Sequence, residues 1–518
     1  MRKEYNVDVA IVGAGTAGLT AYRILKKAGL SVLLIEKGTF GTTCARVGCM
    51  PSKLLISAAN RKHEIENGYN FGFETLVKTD LDRVFERVRT ERDRFVKFTT
   101  DFVDEIPENE LLKKVVFFND DGILATYSGI KIQAKYYIIA TGSKPITPIL
   151  FDATQRDHMQ GDGGIFDNSY MYQGSIFTNE NIFDRTFRAN EHIAVVGTGV
   201  IGLELGQAFD RLGFETTIFG RDNAIAQLSD PDVKAYAKQL FTKSLKHFKP
   251  NVNITFYNSE MDSSGEHFNY IYFDDLDDPT DVKAKPIDSK DKKEEKEGSK
   301  TFCDATVLAV GREPNTYNLK LENTNVFLVE DSTVSSHKEG QKHPCFDPYT
   351  MFCLDENDQP TNILIAGDAT GQRPILHDAA NEGQAAAISV IAAIEGSEIP
   401  KRYRQPPISI TFTEPGIATV GYLHRELDPD TIKTGVAYFD DQGRSRILHK
   451  NSGMIKVYAD KETDMFIGAE MICLDAEHYA HTLGWAMTAG MTINQMLQMP
   501  FYHPTTIEGV RTALRDCQ

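Results

Sequence analysis

Two cysteines stand five residues apart in the run Gly41-Thr-Thr-Cys-Ala-Arg-Val-Gly-Cys-Met-Pro-Ser-Lys53. At this spacing Cys44 and Cys49 approach across one helical turn, within disulfide reach if that turn is distorted. Pro51, just after the second cysteine, is tolerated early in a helix, where its missing N–H costs nothing. A helix N-terminus stabilises thiolate, so the chemistry expected here is thiol–disulfide exchange. A plain structural staple is the alternative, but a crosslink closing so small a loop removes little chain entropy. A second reactive arrangement is His503-Pro-Thr-Thr-Ile-Glu508. Pro504 restricts His503 to extended geometry. Glu508 can then hold one ring nitrogen and leave the other as proton acceptor, the arrangement of a general base. A packed or capping histidine is the competing reading.

The elements upstream say what the thiols would work with. Residues 7–12 are a short apolar run, read as a buried parallel strand. Gly13-Ala-Gly15-Thr-Ala-Gly18 follows directly and opens a helical pattern from Leu19 to Ala28, and a second strand, Val32–Ile35, ends at Glu36. Strand, glycines, helix, strand and acid together form a dinucleotide-binding fingerprint. The glycines permit a tight turn and close approach to a pyrophosphate, and the acid binds ribose hydroxyls. The pattern recurs as Ile193–Val196, Gly197-Thr-Gly199-Val-Ile-Gly202, a helix through Leu212 and a strand at Thr216–Phe219. Two dinucleotide sites beside a labile dithiol imply an electron relay between flavin and nicotinamide, because thiols do not readily exchange hydride with nicotinamide themselves. One working site plus a decayed copy is disfavoured by the intact glycines in both.

At 518 residues, 41% of them hydrophobic, the chain has room for about three domains. A net charge of −17 argues against nucleic acid and anionic membranes as partners, and no window is long and apolar enough to cross a bilayer. The N-terminus runs into the first strand without room for a signal peptide. Seven cysteines, an odd and sparse count, fit a reducing cytoplasm with one functional pair. Cys303, Cys345, Cys353, Cys473 and Cys517 lack metal-type spacing, so no metal site is expected. Residues 79–105 read as a long amphipathic helix, 151–178 as a linker, and 254–257 with 267–273 as a hairpin. The Asp/Lys/Glu-rich run 274–300 cannot bury a core, and 332–345 is a further polar excursion. From about 406 alternating strands and helices near 476–490 and 505–516 describe an α+β tail.

With these motifs in order, the chain resembles the flavin-dependent pyridine-nucleotide disulfide reductases over everything except the polar insertions. The resemblance rests on Cys-x4-Cys-x-Pro-Ser-Lys, the Ala-Thr-Gly turn at 140–142, the Gly-Asp segment at 367–368 and His-Pro-Thr with Glu five residues after the His. The pattern within the family that it most resembles is that of the enzymes oxidising dihydrolipoyl groups. The resemblance implies an α/β chain with two Rossmann-like dinucleotide-binding domains, for FAD and NAD(P), and a C-terminal α+β dimerisation domain. It places the first part of the FAD-binding domain at 1–150, linker and NAD(P)-binding domain at 151–312, a return to the FAD or central domain at 313–400 and the dimerisation domain at 401–518. It further implies that Gly13, Gly15, Gly18, Glu36 and Thr43 hold FAD, that Asp368 binds its ribityl chain, and that Thr141 and Gly142 line the flavin domain. Gly197, Gly199, Gly202, Arg221 and Gly311 fall to the nicotinamide nucleotide. Lys53 and Glu204 correspond to an ion pair beside the flavin, where a cation stabilises charge on the reduced ring. The His503–Glu508 pair is expected to reach the dithiol of a partner subunit, making a homodimer. The implied substrate is a small dithiol or a lipoyl domain.

Two departures bear on this. Arg46 stands where the family usually has asparagine. The second nucleotide unit ends Phe219-Gly220-Arg221 without the acid expected for an NAD ribose, and arginine there can accommodate a 2′-phosphate. Gln227 stands where NADPH-using relatives usually carry a second arginine, and Gly202 is intact where they tend to have alanine, so NAD or dual use is expected, with NADP as the alternative. An NADPH-dependent reductase of small disulfides such as glutathione and a non-catalytic, partner-binding flavoprotein are the rival functions.

Overall fold

A computed structural model describes residues 4–151, 175–261, 267–277, 299–330 and 342–518. Most of the expected linker (152–174), of the charged run (278–298) and of the second polar excursion (331–341) lies outside the described residues. The chain divides into two compact units: Met1–Pro51 with Arg89–Ile146 and Arg312–Arg404, and Ser52–Val88 with Thr147–Gly311 and Gln405–Gln518.

The first unit is built on β1 (Glu4–Val12), which pairs in parallel with β2 (Val32–Ile35) on one side and with Lys131–Ile139 on the other. Strands Pro360–Ile365 and Leu111–Leu112 extend the parallel sheet, and Phe352–Leu354 adds an antiparallel edge. Successive side chains of a strand point to opposite faces. Here Val9, Ile11 and Ile138 enter one core with α1 (Thr16–Lys27) and helix Leu376–Glu395, while Ala10, Val12 and Ile139 enter another. Burial on both faces is why Val9–Val12 of β1 reads as an unbroken apolar run. The helix α1 starts a turn earlier than the side-chain periodicity indicates. Its N-cap is Gly15, so its first turn carries glycine and small residues rather than an apolar stripe.

The second unit repeats the design. His192–Val196, Glu215–Phe219, His247–Lys249, Ala305–Leu308 and Ile176–Thr178 form a parallel sheet, with helix Val200–Leu212 after the second glycine turn. The expected hairpin forms as Val252–Met261 with His267–Asp275, and Ser299–Cys303 joins it as a third strand. The C-terminal part is a five-stranded antiparallel sheet in the order Ile408–Thr411, Gly416–Gly421, Phe466–Cys473, Met454–Asp460, Ile432–Tyr438. Helices Ala476–Thr488 and Glu508–Asp516 pack on it, their apolar residues sharing its core. The short helices Gly443–Ile447 and Ile493–Leu497 have too few turns to announce themselves by periodicity.

Within this unit a buried carboxylate ties the nucleotide-binding part to the C-terminal sheet. Glu470 accepts hydrogen bonds from Ser229 N (2.6 Å), Ser229 Oγ (2.6 Å), Asp230 N (3.0 Å) and His424 N (2.8 Å). Asp230 in turn caps helix Pro231–Ser244 through Asp232 N and Val233 N, and accepts from Lys456 Nζ and Tyr458 Oη. Every donor around Glu470 needs an acceptor, because a buried polar group without one keeps its full desolvation penalty. Glu470→Gln turns one of its two acceptors into a donor facing donors. Urea unfolding should show a loss of about 1–3 kcal/mol.

Candidate active site

The cysteine run folds as two helices rather than as one distorted turn. The expectation of a single helical turn is corrected by Gly48, whose backbone (φ −119°, ψ −111°) ends α2 (Thr43–Val47) before α3 (Cys49–Glu66) begins. Thr42 Oγ1 caps α2 by accepting from Ala45 N, and Thr43 is its exposed first residue. Cys44 is half-buried on α2, and Cys49 is exposed as the first residue of α3, with Pro51 within the first turn. The other thiols differ in kind. Burial pushes Cys303 up to about 12 and Cys517 up to about 11, and raises Cys353 and Cys473 as well. Among the described residues Cys49 is the one exposed thiol. Arg46 turns back along the preceding loop, where its Nη1 donates to Thr39 O at 3.1 Å.

Lys53, on α3, and Glu204, on helix Val200–Leu212, form an ion pair at 2.7 Å. Glu204 is 3% exposed, and its second oxygen accepts Phe412 N at 2.9 Å. The Lys53 ammonium also lies 4.6 Å from the Phe412 ring centroid, a cation–π distance. A carboxylate so enclosed holds the ammonium in one place.

His503 and Glu508 meet as their spacing indicates. His503 Nδ1 is 3.1 Å from both carboxylate oxygens of Glu508. Thr505 N donates to the same carboxylate, and that bond together with His503 holds Glu508 below the usual carboxylate range. With Nδ1 engaged, Nε2 is left on a side chain 79% exposed. Gln442 Nε2 donates to Thr505 O and Thr506 Oγ1 to Asp475 Oδ2, fixing the turn between the two residues.

The glycine turns have the same geometry twice. A Cβ on Gly13 would lie 2.2 Å from Ala140 O, and one on Gly18 1.9 Å from Gly13 O. The corresponding distances are 2.3 Å from Gly197 to Ala309 O and 1.9 Å from Gly202 to Gly197 O. Gly15 and Gly199 are extended N-caps with no capping side chain and with open space where a Cβ would stand. Each turn is therefore a cradle of bare helix N–H groups into which a phosphate fits.

In the first unit Glu36 accepts Ala14 N (2.9 Å) and Gly38 N (2.7 Å) beside that cradle. Gly142, at φ +70°, follows Thr141, whose buried Oγ1 has no hydrogen-bond partner. Asp368 accepts Ser143 Oγ at 2.8 Å, and Arg312 steadies Ser143 through its Oγ and its carbonyl. Ser143 and Arg312 had no assigned role in the sequence. Arg312 lies in the segment after Gly311, but its partner is remote in the chain. An open cradle, an acid at the ribose position and an orphaned hydroxyl fit FAD in the first unit.

The second unit fits a nicotinamide nucleotide but differs at the ribose end. Gly13 N bonds Ile35 O and Gly197 N bonds Phe219 O, so Gly220 occupies the position of Glu36. A Cβ on Gly220 would lie 2.6 Å from Thr198 Oγ1, which leaves no room for an acid. Arg221 beside it is exposed and pairs with Asp222 at 3.3 Å, and Gly311 is exposed at φ +126°. No cluster of three metal-ligating side chains occurs among the described residues, and no helix among them is long and apolar enough to cross a membrane.

Residues 7–341 match the pyridine nucleotide-disulphide oxidoreductase family, and residues 408–514 match the dimerisation domain of the same family. The chain belongs to that family: it is a flavoprotein oxidoreductase of the disulfide class, built for FAD and NAD(P). It is 27% identical to a dihydrolipoyl dehydrogenase of Staphylococcus aureus, covering 98% of this chain and 96% of that one. It is 26% identical to a mercuric reductase of Lysinibacillus sphaericus, over 98% and 82%. Among solved structures, the HOCl-induced flavoprotein disulfide reductase RclA of Escherichia coli has the same fold, with a TM-score of 0.72 at 19% identity over 98% of this chain and 99% of that one.

Because Glu508 titrates lower folded than unfolded, its contribution to stability is present above the ordinary glutamate value and is lost as pH falls through the lowered one. Urea midpoints of the wild type and Glu508→Gln should therefore differ at neutral pH and converge in acid.

Proposed function

We propose that this chain oxidises a dihydrolipoyl-type dithiol and reduces NAD⁺ through a redox disulfide between Cys44 and Cys49. The observation that carries the reading is the exposed Cys49 opening α3 close after Cys44, in a chain whose other thiols are mostly buried. The similarity to dihydrolipoyl dehydrogenases along nearly the whole of both chains supports it. Turnover of mercuric ion is less well supported, since Cys517, near the C-terminus, is buried with its thiol pushed up to about 11.

Nε2 of His503 takes the proton of the first substrate thiol while Glu508 balances the resulting charge. The substrate sulfur bonds to Cys44, the Cys44–Cys49 bond breaks, and Cys49 leaves as thiolate. The second substrate thiol displaces Cys44, passes its proton to it and closes the substrate disulfide. Two electrons have then moved from substrate to the cysteine pair, with one proton on His503 and one on Cys44. Bound FAD would supply the two-electron redox chemistry that links a reduced cysteine pair to a nicotinamide. Thr141, Gly142 and Asp368 would hold the flavin; the family resemblance would give Lys53, braced by Glu204, the role of a positive charge that favours the reduced flavin. The active form in this reading is a homodimer in which His503 serves the dithiol of the other copy.

A second reading, an NADPH-dependent reductase of small disulfides, is favoured by one observation: Gly220 removes the acid that would repel a 2′-phosphate, and Arg221 lies exposed beside it.

Cys44→Ser and Cys49→Ser should each abolish dihydrolipoamide oxidation while leaving FAD bound; turnover retained by either variant refutes the cysteine assignment. With no carboxylate at Gly220, kcat/KM should be of the same order for NAD⁺ and NADP⁺, and Arg221→Ala should depress only the second. Preference for NADP⁺, with faster turnover of glutathione disulfide than of dihydrolipoamide, would favour the second reading.

A further inference from the structure

We propose that Glu382, braced by Arg402, is a positioning residue for the flavin that fixes the Gly367–Asp368 turn presenting Asp368 to the cofactor. The inference rests on the reading of Asp368 as a flavin-binding residue and adds to it the group that sets its place. All the contacts lie within the first unit. Glu382, on helix Leu376–Glu395, is almost wholly buried, and both its oxygens are engaged. Oε2 accepts Gly367 N at 2.8 Å and Oε1 accepts Arg402 Nη2 at 2.9 Å. Arg402 is itself anchored, its Nε donating to Pro348 O at 2.8 Å and its backbone N–H to Tyr349 O at 3.0 Å.

The placement of this pair is specific. Gly367 stands at φ +73°, and a Cβ on it would lie 3.1 Å from Ala17 Cβ, in the first turn of α1. The residue after Glu382 is Gly383, where a Cβ would lie 2.2 Å from Ala17 O. Glu382-Gly383 thus joins the Asp368 turn and the phosphate-cradling end of α1 in one frame. Burial drives the Glu382 carboxyl toward its neutral form, and Arg402 and the Gly367 N–H oppose that. An apolar residue would fill such a place at less desolvation cost. What it would not do is accept the Gly367 N–H.

The test is FAD affinity of the apoprotein, followed by quenching of flavin fluorescence, together with the flavin absorption spectrum. Glu382→Ala should raise the FAD Kd about tenfold or more and shift the visible band, because Gly367 N–H loses its acceptor. In the double variant Glu382→Gln/Arg402→Met the amide oxygen can accept that N–H with no guanidinium facing the amide nitrogen. It should bind FAD within about threefold of wild type. Thermal unfolding of each apoprotein is measured alongside. A Glu382→Ala protein that is less stable but binds FAD with unchanged Kd and spectrum overturns the proposal, as does a double variant as weak as Glu382→Ala. Asp368→Ala separates the two levels: unchanged FAD affinity there counts against the role of Asp368, whatever Glu382 does.

Discussion

In both nucleotide-binding units the helix approaches the preceding turn so closely that a side chain at the third glycine would overlap a carbonyl oxygen. Gly18 against Gly13 O and Gly202 against Gly197 O share the same separation, and each turn is also pressed against the end of a neighbouring strand. This contact fixes where the helix N-terminus lies relative to the sheet. Its first N–H groups consequently face open space at the end of the strands. Nucleotide binding at that edge depends on backbone geometry before it depends on any side chain.

The two units diverge only beyond that shared frame. In the first, Glu36 reaches back to the glycine turn and stands beside the cradle. In the second, the equivalent position is a glycine because the Thr198 side chain fills the space. One backbone design therefore carries a carboxylate beside the first glycine turn and an exposed arginine beside Gly220 in the second unit.

Buried carboxylates do the positioning elsewhere. Glu204 holds Lys53 and the backbone of Phe412, Glu470 gathers four donors from two segments, and Glu382 joins a turn to a helix. In each case an acid inside the protein is tolerated because every lone pair that matters meets a donor. The groups proposed to react are arranged the other way. Cys49 and His503 are exposed, and what is buried or paired around them serves to aim them.

By itself the sequence determined the family-level architecture: two strand–glycine–helix units, a close-spaced cysteine pair and a histidine with its carboxylate five residues on. These are local patterns, set by strand alternation, by glycines that alone fit a turn, and by spacings short enough to be read along the chain. The hairpin at 252–275 and the long helix Leu81–Asp104 were legible for the same reason. Tertiary structure alone decided which distant residues meet. The 151-residue separation of Lys53 and Glu204, the link from Ser143 to Asp368 and the anchoring of Gly367 by Glu382 leave no periodic trace. It also split the cysteine run into two helices at Gly48 and closed the space beside Gly220 with the Thr198 side chain. Hydrogen bonding between remote segments and steric exclusion depend on the packed geometry, and a linear pattern does not encode them.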